Sequence, residues 1–101
     1  MPKRTADYRQ GLLESLTDPQ EAALYVEAAM QESNELFLVA LRDVAEARQM
    51  SRVAKDAGVA REALYRMLSE SGNPTLNSLS AILSSVGLKL RVETIGSNPA
   101  T

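Results

Sequence analysis

The 101-residue chain has no cysteine, no histidine and no tryptophan, and only one Phe and three Tyr. Without Cys there is neither a disulfide framework nor a thiolate metal site. Without His the commonest general base and the commonest metal ligand are missing. So few aromatics argue against a broad platform for stacking single-stranded bases. No apolar run is long enough to span a bilayer. The opening Met1-Pro2-Lys3-Arg4-Thr5 has basic residues with no apolar stretch behind them, so it does not read as a secretory signal. The acids are spread along helix faces, the serines have no His partner, and no Gly-rich phosphate loop occurs. The expectation is a single-domain, soluble intracellular protein that is not an enzyme and needs no metal or cofactor.

The formal net charge is −2, an awkward value for a protein that would approach phosphate. Its distribution is more informative. Residues 1–47 hold four basic and nine acidic groups, a balance of −5, and residues 48–101 hold seven basic and four acidic, a balance of +3. Local field matters more than the total for contact with a polyanion. Any such binding is expected to be modest per protomer and steeply salt-dependent.

The basic half contains the stretch around which the rest is organised, Met50 to Ser69. Ala54 precedes Gly58 by four residues, Val59 follows the Gly, and Leu64 and Met67 come five and eight after Val59. Two helices crossing steeply through a short turn need this layout. A small residue sits at the crossing, a Gly takes the turn where φ goes positive, and apolar residues lock the pair from beneath. This is helix-turn-helix spacing, in which the second helix enters the DNA major groove. The competing reading is a helical hairpin inside an ordinary bundle.

Before this stretch, Tyr8, Leu12 and Leu16 are four apart within a helix over residues 5–16 that contains Gly11. Asp18-Pro19-Gln20-Glu21 reads as a helix start with a capping box. That helix is expected to run to about Glu32, with Ala22, Tyr25, Val26, Ala29 and Met30 as a stripe for the core or for a partner protein. Ser33-Asn34 breaks and recaps. A third helix over residues 35–49 turns Phe37, Leu38, Leu41, Val44 and Ala45 inward and allows an Arg42–Glu46 surface pair. Ser51 is expected to cap the short helix 52–57, and Ala60, a poor cap, opens the helix 60–70. After the turn cluster Ser71-Gly72-Asn73-Pro74, Thr75 caps a helix bearing Leu76, Leu79, Ile82, Leu83 and Val86, and Gly87 ends it.

From Leu88 to Ile95 the period changes. Leu88, Leu90 and Val92 alternate with Lys89, Arg91 and Glu93, the pattern of a half-buried strand. No second strand appears in the chain, so this strand is expected to pair with its equivalent in a second copy, giving a homodimer. The alternative is a strand docked on the chain's own helices. Residues 96–101 read as a polar frayed tail.

The first turn and a half of a recognition helix faces base edges, which selects Arg61, Glu62, Ala63 and Arg66. The Arg fork matches guanine O6 and N7, and Glu accepts from cytosine N4. Ala60 and Tyr65 stand at the margin, with Tyr65 either touching phosphate or covering the core. Arg48, Ser51, Arg52 and Lys55 flank the first helix of the pair as phosphate-positioning candidates, and Asn73 and Thr75 sit where the following loop approaches the backbone.

Taken together, Tyr8 with Leu12 and Leu16, Asp18-Pro19 with Ala22 and Tyr25, Ala40-Leu41-Arg42-Asp43-Val44-Ala45, Arg61-Glu62-Ala63-Leu64-Tyr65-Arg66 and Gly72-Asn73-Pro74-Thr75-Leu76 resemble the probable addiction-module antidote family, HigA-like antitoxins with a Cro/C1-type helix-turn-helix. The resemblance spans roughly residues 5–92. It implies a five-helix repressor-like core, which with the readings above gives a mainly α fold: a lambda-repressor-like helix-turn-helix domain over 34–95, an N-terminal helical extension over 1–33 packed on it, and the C-terminal β-strand. It also implies a bacterial cytoplasmic antitoxin, nucleoid-associated when DNA-bound, that neutralises a RelE/HigB-like toxin and represses their shared operon as a dimer on double-stranded operator DNA. Family members often have Ser where this chain has Ala60, which removes a cap and a phosphate contact. The acidic N-terminal half is the candidate toxin-facing surface. Two other classes fit the same residues: a free-standing or prophage repressor without a toxin, and an interaction module whose helix-turn-helix no longer binds DNA.

Overall fold

A computed structural model describes residues 2–96 as six helices: α1 Pro2–Ser15, α2 Pro19–Glu32, α3 Asn34–Ala47, α4 Met50–Ala57, α5 Arg61–Met67 and α6 Leu76–Ser85. Their ends follow from local chemistry. Asp18 accepts from the Gln20 backbone N–H at 3.0 Å and Pro19 takes the first turn of α2, although the Glu21 half of the expected box is not made. Ser33 is extended, closes α2, and accepts from the Leu36 N–H at 3.0 Å to open α3. Thr75 accepts from the Ser78 N–H at 3.1 Å to open α6. Ser51 does not cap α4. The helix begins one residue before it, after Gln49, which has no side-chain cap bond and a φ of 72°. A non-glycine residue there carries about 1–3 kcal/mol of strain, borne by the packing of α3 and α4 on either side.

One apolar core runs through all parts of the chain. Leu16 from the turn after α1, Ala22 and Val26 of α2, Leu41, Val44 and Ala45 of α3, Val53 and Ala54 of α4, Leu64 and Leu68 of the α5 segment, and Ile82, Leu83 and Val86 of the α6 segment are all buried. The first two helices therefore share the core of α3–α6. Tyr8 and Met30, expected on apolar faces, are exposed instead. Beneath α5, Leu64 and Leu68 are fully buried, while the expected Met67 packs on the core only partly buried.

The expected C-terminal β-strand is absent. Residues 88–94 have no regular secondary structure, and the described residues contain no strand at all. A strand is one half of a ladder, and among the described residues no second segment pairs with this one. Leu88 packs on the core and its N–H donates to Leu83 O at 2.8 Å, but Leu90 and Val92 face solvent, the latter 98% exposed. The five-helix count is corrected with it, since the segment expected to hold five helices holds four. Apart from Gly96, the expected frayed tail lies outside the described residues.

The largest departure from an all-apolar interior is Asp43 on α3, 9% exposed. Arg9 Nη2 of α1 donates to its Oδ1 at 3.1 Å and the Tyr25 hydroxyl of α2 donates to its Oδ2 at 2.6 Å. Asp43 and Glu46 hold the Arg9 guanidinium proton more tightly, raising it above its ordinary value. Burial, and then the bond to Asp43, pushes the Tyr25 phenol up from 10.0 to about 12. The folded chain thus holds the phenol proton more firmly than the unfolded chain does. That contribution to stability is complete below pH 10.0 and is lost as pH rises toward about 12. Tyr25→Phe is expected to cost about 1–2 kcal/mol near neutral pH, because Asp43 loses a donor while staying buried. It should also flatten the alkaline fall of stability. Urea unfolding of both proteins across the alkaline range measures this, and parallel slopes would remove Tyr25 from the account.

Candidate nucleic-acid interface

The α4–α5 pair is built as its spacing requires. Gly58 ends α4 with φ 74°, and the Val59 N–H reaches back to Ala54 O at 3.0 Å. This left-handed closure reverses the chain within three residues and delivers Ala60 as the first flank of α5. Ala60 makes no side-chain cap bond, so α5 opens with Arg61 and Glu62 in its first turn and nothing in front of them. Leu64 is fully buried and fixes the rotation of the helix. With Leu64 inward, Arg61, Glu62 and Arg66 are exposed and Ala63 and Tyr65 are half-buried.

All four base-reading candidates, Arg61, Glu62, Ala63 and Arg66, therefore lie on one short helix, three of them open to solvent. Tyr65 does more than either of its two expected roles. The guanidinium carbons of Arg61 and of Arg42, the latter from α3, each stand 5.5 Å from its ring centroid, within the distance at which a cation is attracted by an aromatic face. Arg42 also donates from Nε to Glu46 Oε1 at 3.2 Å, the expected surface pair.

The phosphate-positioning candidates divide. Ser51, Arg52 and Lys55 are exposed along α4. Arg48 turns inward instead: Nη2 donates to Thr17 O at 3.4 Å, and Nε is buried with no partner among the described residues. Arg48 and Arg52 line one pocket with Val53, Asp56 and Ser85. Asn73 and Thr75 are exposed in the loop after α5, with the Thr75 hydroxyl engaged at the start of α6. Leu88, Leu90 and Val92 lie in the unpaired segment described above. Among the described residues no group of His, Cys, Asp and Glu is placed to hold a metal ion, and no helix is long and apolar enough to cross a membrane.

Sequence reasoning missed the Arg9–Asp43–Tyr25 cluster and the pairing of Tyr65 with two arginines. A signal for the first was present, since Asp43 follows Ala40 by three residues at the margin of the apolar face of α3. The partners could not be read, because they come from two other helices 34 and 18 residues away.

Comparison with known proteins adds a family. The profile of a family described as probable addiction module antidote protein matches residues 9–94. A protein of Haemophilus influenzae, described as an uncharacterized protein, is 44% identical over 81 residues, covering 79% of this chain and 84% of that one. No solved structure matches the chain.

The loop bearing Asn73 and Thr75 is held by Gly72. A Cβ there would collide with the Met67 carbonyl and lie 2.9 Å from Arg66 O, both backbone groups of α5. Gly72→Ala is expected to displace this loop and cost about 2–3 kcal/mol, at the upper end for overpacking because backbone cannot swing aside. Chemical denaturation measures it; a change below ~0.5 kcal/mol would show that the loop closes differently.

Proposed function

The chain belongs to the probable addiction module antidote family, and on that premise we propose that it is the antitoxin of a type II toxin–antitoxin module. It binds a RelE/HigB-like toxin and, as a homodimer, represses its own operon through the α4–α5 pair, a HigA-like helix-turn-helix of Cro/C1 type. The mechanism is binding, not catalysis. The observation that carries the DNA half of this reading is the Gly58 closure followed by α5, which leaves Arg61 and Arg66 exposed over a buried Leu64. Two copies place two α5 helices in successive major grooves, roughly 34 Å apart, on an inverted repeat. The exposed apolar side chains of Leu90, Val92 and Ile95 supply surface for contact between copies. Arg52, Lys55 and Ser51 position phosphate, and Arg61 and Arg66 read bases.

The toxin half rests on family membership and on charge. The acidic excess lies in residues 1–47, and Glu21 and Glu27 are exposed on α2. A basic RNA-cleaving toxin is complementary to that surface. Because Leu16, Ala22 and Val26 belong to the core, deleting the first two helices would unfold the chain instead of testing the contact.

Two measurements follow. In a salt titration, the protein should bind the DNA upstream of its own coding sequence in preference to an unrelated duplex of equal length, weakening linearly on a log–log plot. Arg61→Ala and Arg66→Ala should each cost about 1–3 kcal/mol of operator binding, roughly 5- to 150-fold, and relax sequence preference. Unchanged affinity would take both residues out of the interface, and equal weak binding to both duplexes would favour an interaction module. Separately, Glu21→Lys with Glu27→Lys should weaken capture of the toxin encoded beside this gene; undiminished capture would move the toxin contact off α2.

A further inference from the structure

We infer that Arg42 and Tyr65 are positioning residues for Arg61, so that the base-reading side chain on α5 is held from α3 and, through Arg9, from α1. The inference rests on the reading of α5 as a DNA-reading helix and deepens it. The contacts form one continuous chain. Arg9 Nη2 bridges Asp43 Oδ1 and Glu46 Oε2, each at 3.1 Å. The second oxygen of Glu46 accepts from Arg42 Nε at 3.2 Å. The guanidinium of Arg42 and that of Arg61 then share the Tyr65 ring, both at 5.5 Å.

Each link has a physical consequence. Arg61 is the first residue of a seven-residue helix whose flank, Ala60, supplies no cap bond. Its long side chain is exposed and would sample many rotamers in the free protein. Contact with the Tyr65 ring narrows that range and so reduces the ordering cost when DNA binds. Tyr65 is half-buried, and the Arg42 guanidinium on its ring restrains it in turn. Arg42 is itself restrained because Glu46 accepts from it at one oxygen while Arg9 holds the other. Glu46 also offsets the repulsion between two like charges brought to one ring. Arg42 is thus not a spare surface charge, and its partner is not required to be a phosphate.

The test compares full-length wild type with Arg42→Ala, Tyr65→Leu, Tyr65→Phe, Arg61→Ala and the Arg42→Ala/Arg61→Ala double variant, each checked by thermal unfolding. Binding to the upstream fragment and to an unrelated duplex is titrated against salt. Arg42→Ala should weaken binding to the upstream fragment about three- to tenfold, leave the unrelated duplex unchanged and leave the salt slope unchanged. A direct phosphate contact would instead weaken both duplexes and lower the slope by about one. Tyr65→Phe should recover most of what Tyr65→Leu loses. In the double variant Arg42→Ala should cost nothing further once Arg61 is gone. A slope reduced by one, or an undiminished Arg42→Ala effect without Arg61, would overturn the inference.

A readout without DNA separates this inference from the reading it rests on. In the free protein the Arg61 Nε–H resonance, shifted by the Tyr65 ring, should move toward its unstructured position in Arg42→Ala and in Tyr65→Leu, but not in Tyr65→Phe. An Arg61 resonance unmoved by Arg42→Ala overturns the positioning role even if operator binding is confirmed. A resonance that moves in a protein that does not discriminate between the duplexes leaves the side-chain coupling standing and overturns the DNA-reading function instead.

Discussion

A carboxylate taken out of water must find donors, and Asp43 is the carboxylate on which this small fold closes. It sits on α3, the helix against which both N-terminal helices pack. One oxygen accepts from Arg9 of α1 and the other from Tyr25 of α2. An unpaired ion in that position would cost several kcal/mol, so the two donors are obligatory and their spacing fixes how α1 and α2 lie on α3. Apolar packing by Leu16, Ala22 and Val26 supplies the bulk of the attraction, but it is non-directional. The polar cluster at its margin supplies the register.

The same short chain uses one backbone device twice. At Gly58 and again at Gly87 a helix ends in a left-handed residue, with the following N–H returning to a carbonyl five residues back, Val59 to Ala54 and Leu88 to Leu83. The first instance aims α5 and the second aims the C-terminal segment. Between them, Gly72 allows a close backbone approach to α5 that no side chain would permit. Three glycines thus set the directions of everything after α4, while Gln49 reaches a left-handed conformation without that advantage and depends on the packing around it.

Charge is divided along the chain as sharply as structure is. The acidic excess is carried by α2 and α3, and basic groups outnumber acidic ones on α4, α5 and the C-terminal segment. This separation gives a chain of net charge −2 a basic helix pair and an acidic one. The core residues Leu16, Ala22 and Val26 show that these are two faces of one packed unit, so membership in an antidote family is compatible with both surfaces being used by the same folded molecule.

What the sequence determined by itself was everything governed by local chemistry and periodicity. The caps at Asp18, Ser33 and Thr75, the closures at Gly58 and Gly87, the inward face of α3 and the Arg42–Glu46 pair lie within a few residues of their causes, and each was legible from spacing. Where local signals competed, they misled: Ser51 has the chemistry of a cap, but the chain enters α4 one residue earlier through Gln49. The period-two pattern over Leu88 to Ile95 shows the same limit. Alternation prepares a segment for a ladder but cannot provide the second half of one, so the segment is irregular and forms no strand. Only the tertiary structure decided which polar groups meet. Although Arg61 and Tyr65 stand four apart on α5, a spacing the sequence itself displays, Asp43 with Arg9 and Tyr25, Arg48 turned toward Thr17, and Arg42 over the Tyr65 ring join residues from different elements. Such contacts depend on how helices are rotated against one another, a quantity fixed by the summed packing of the core and by no single stretch of sequence.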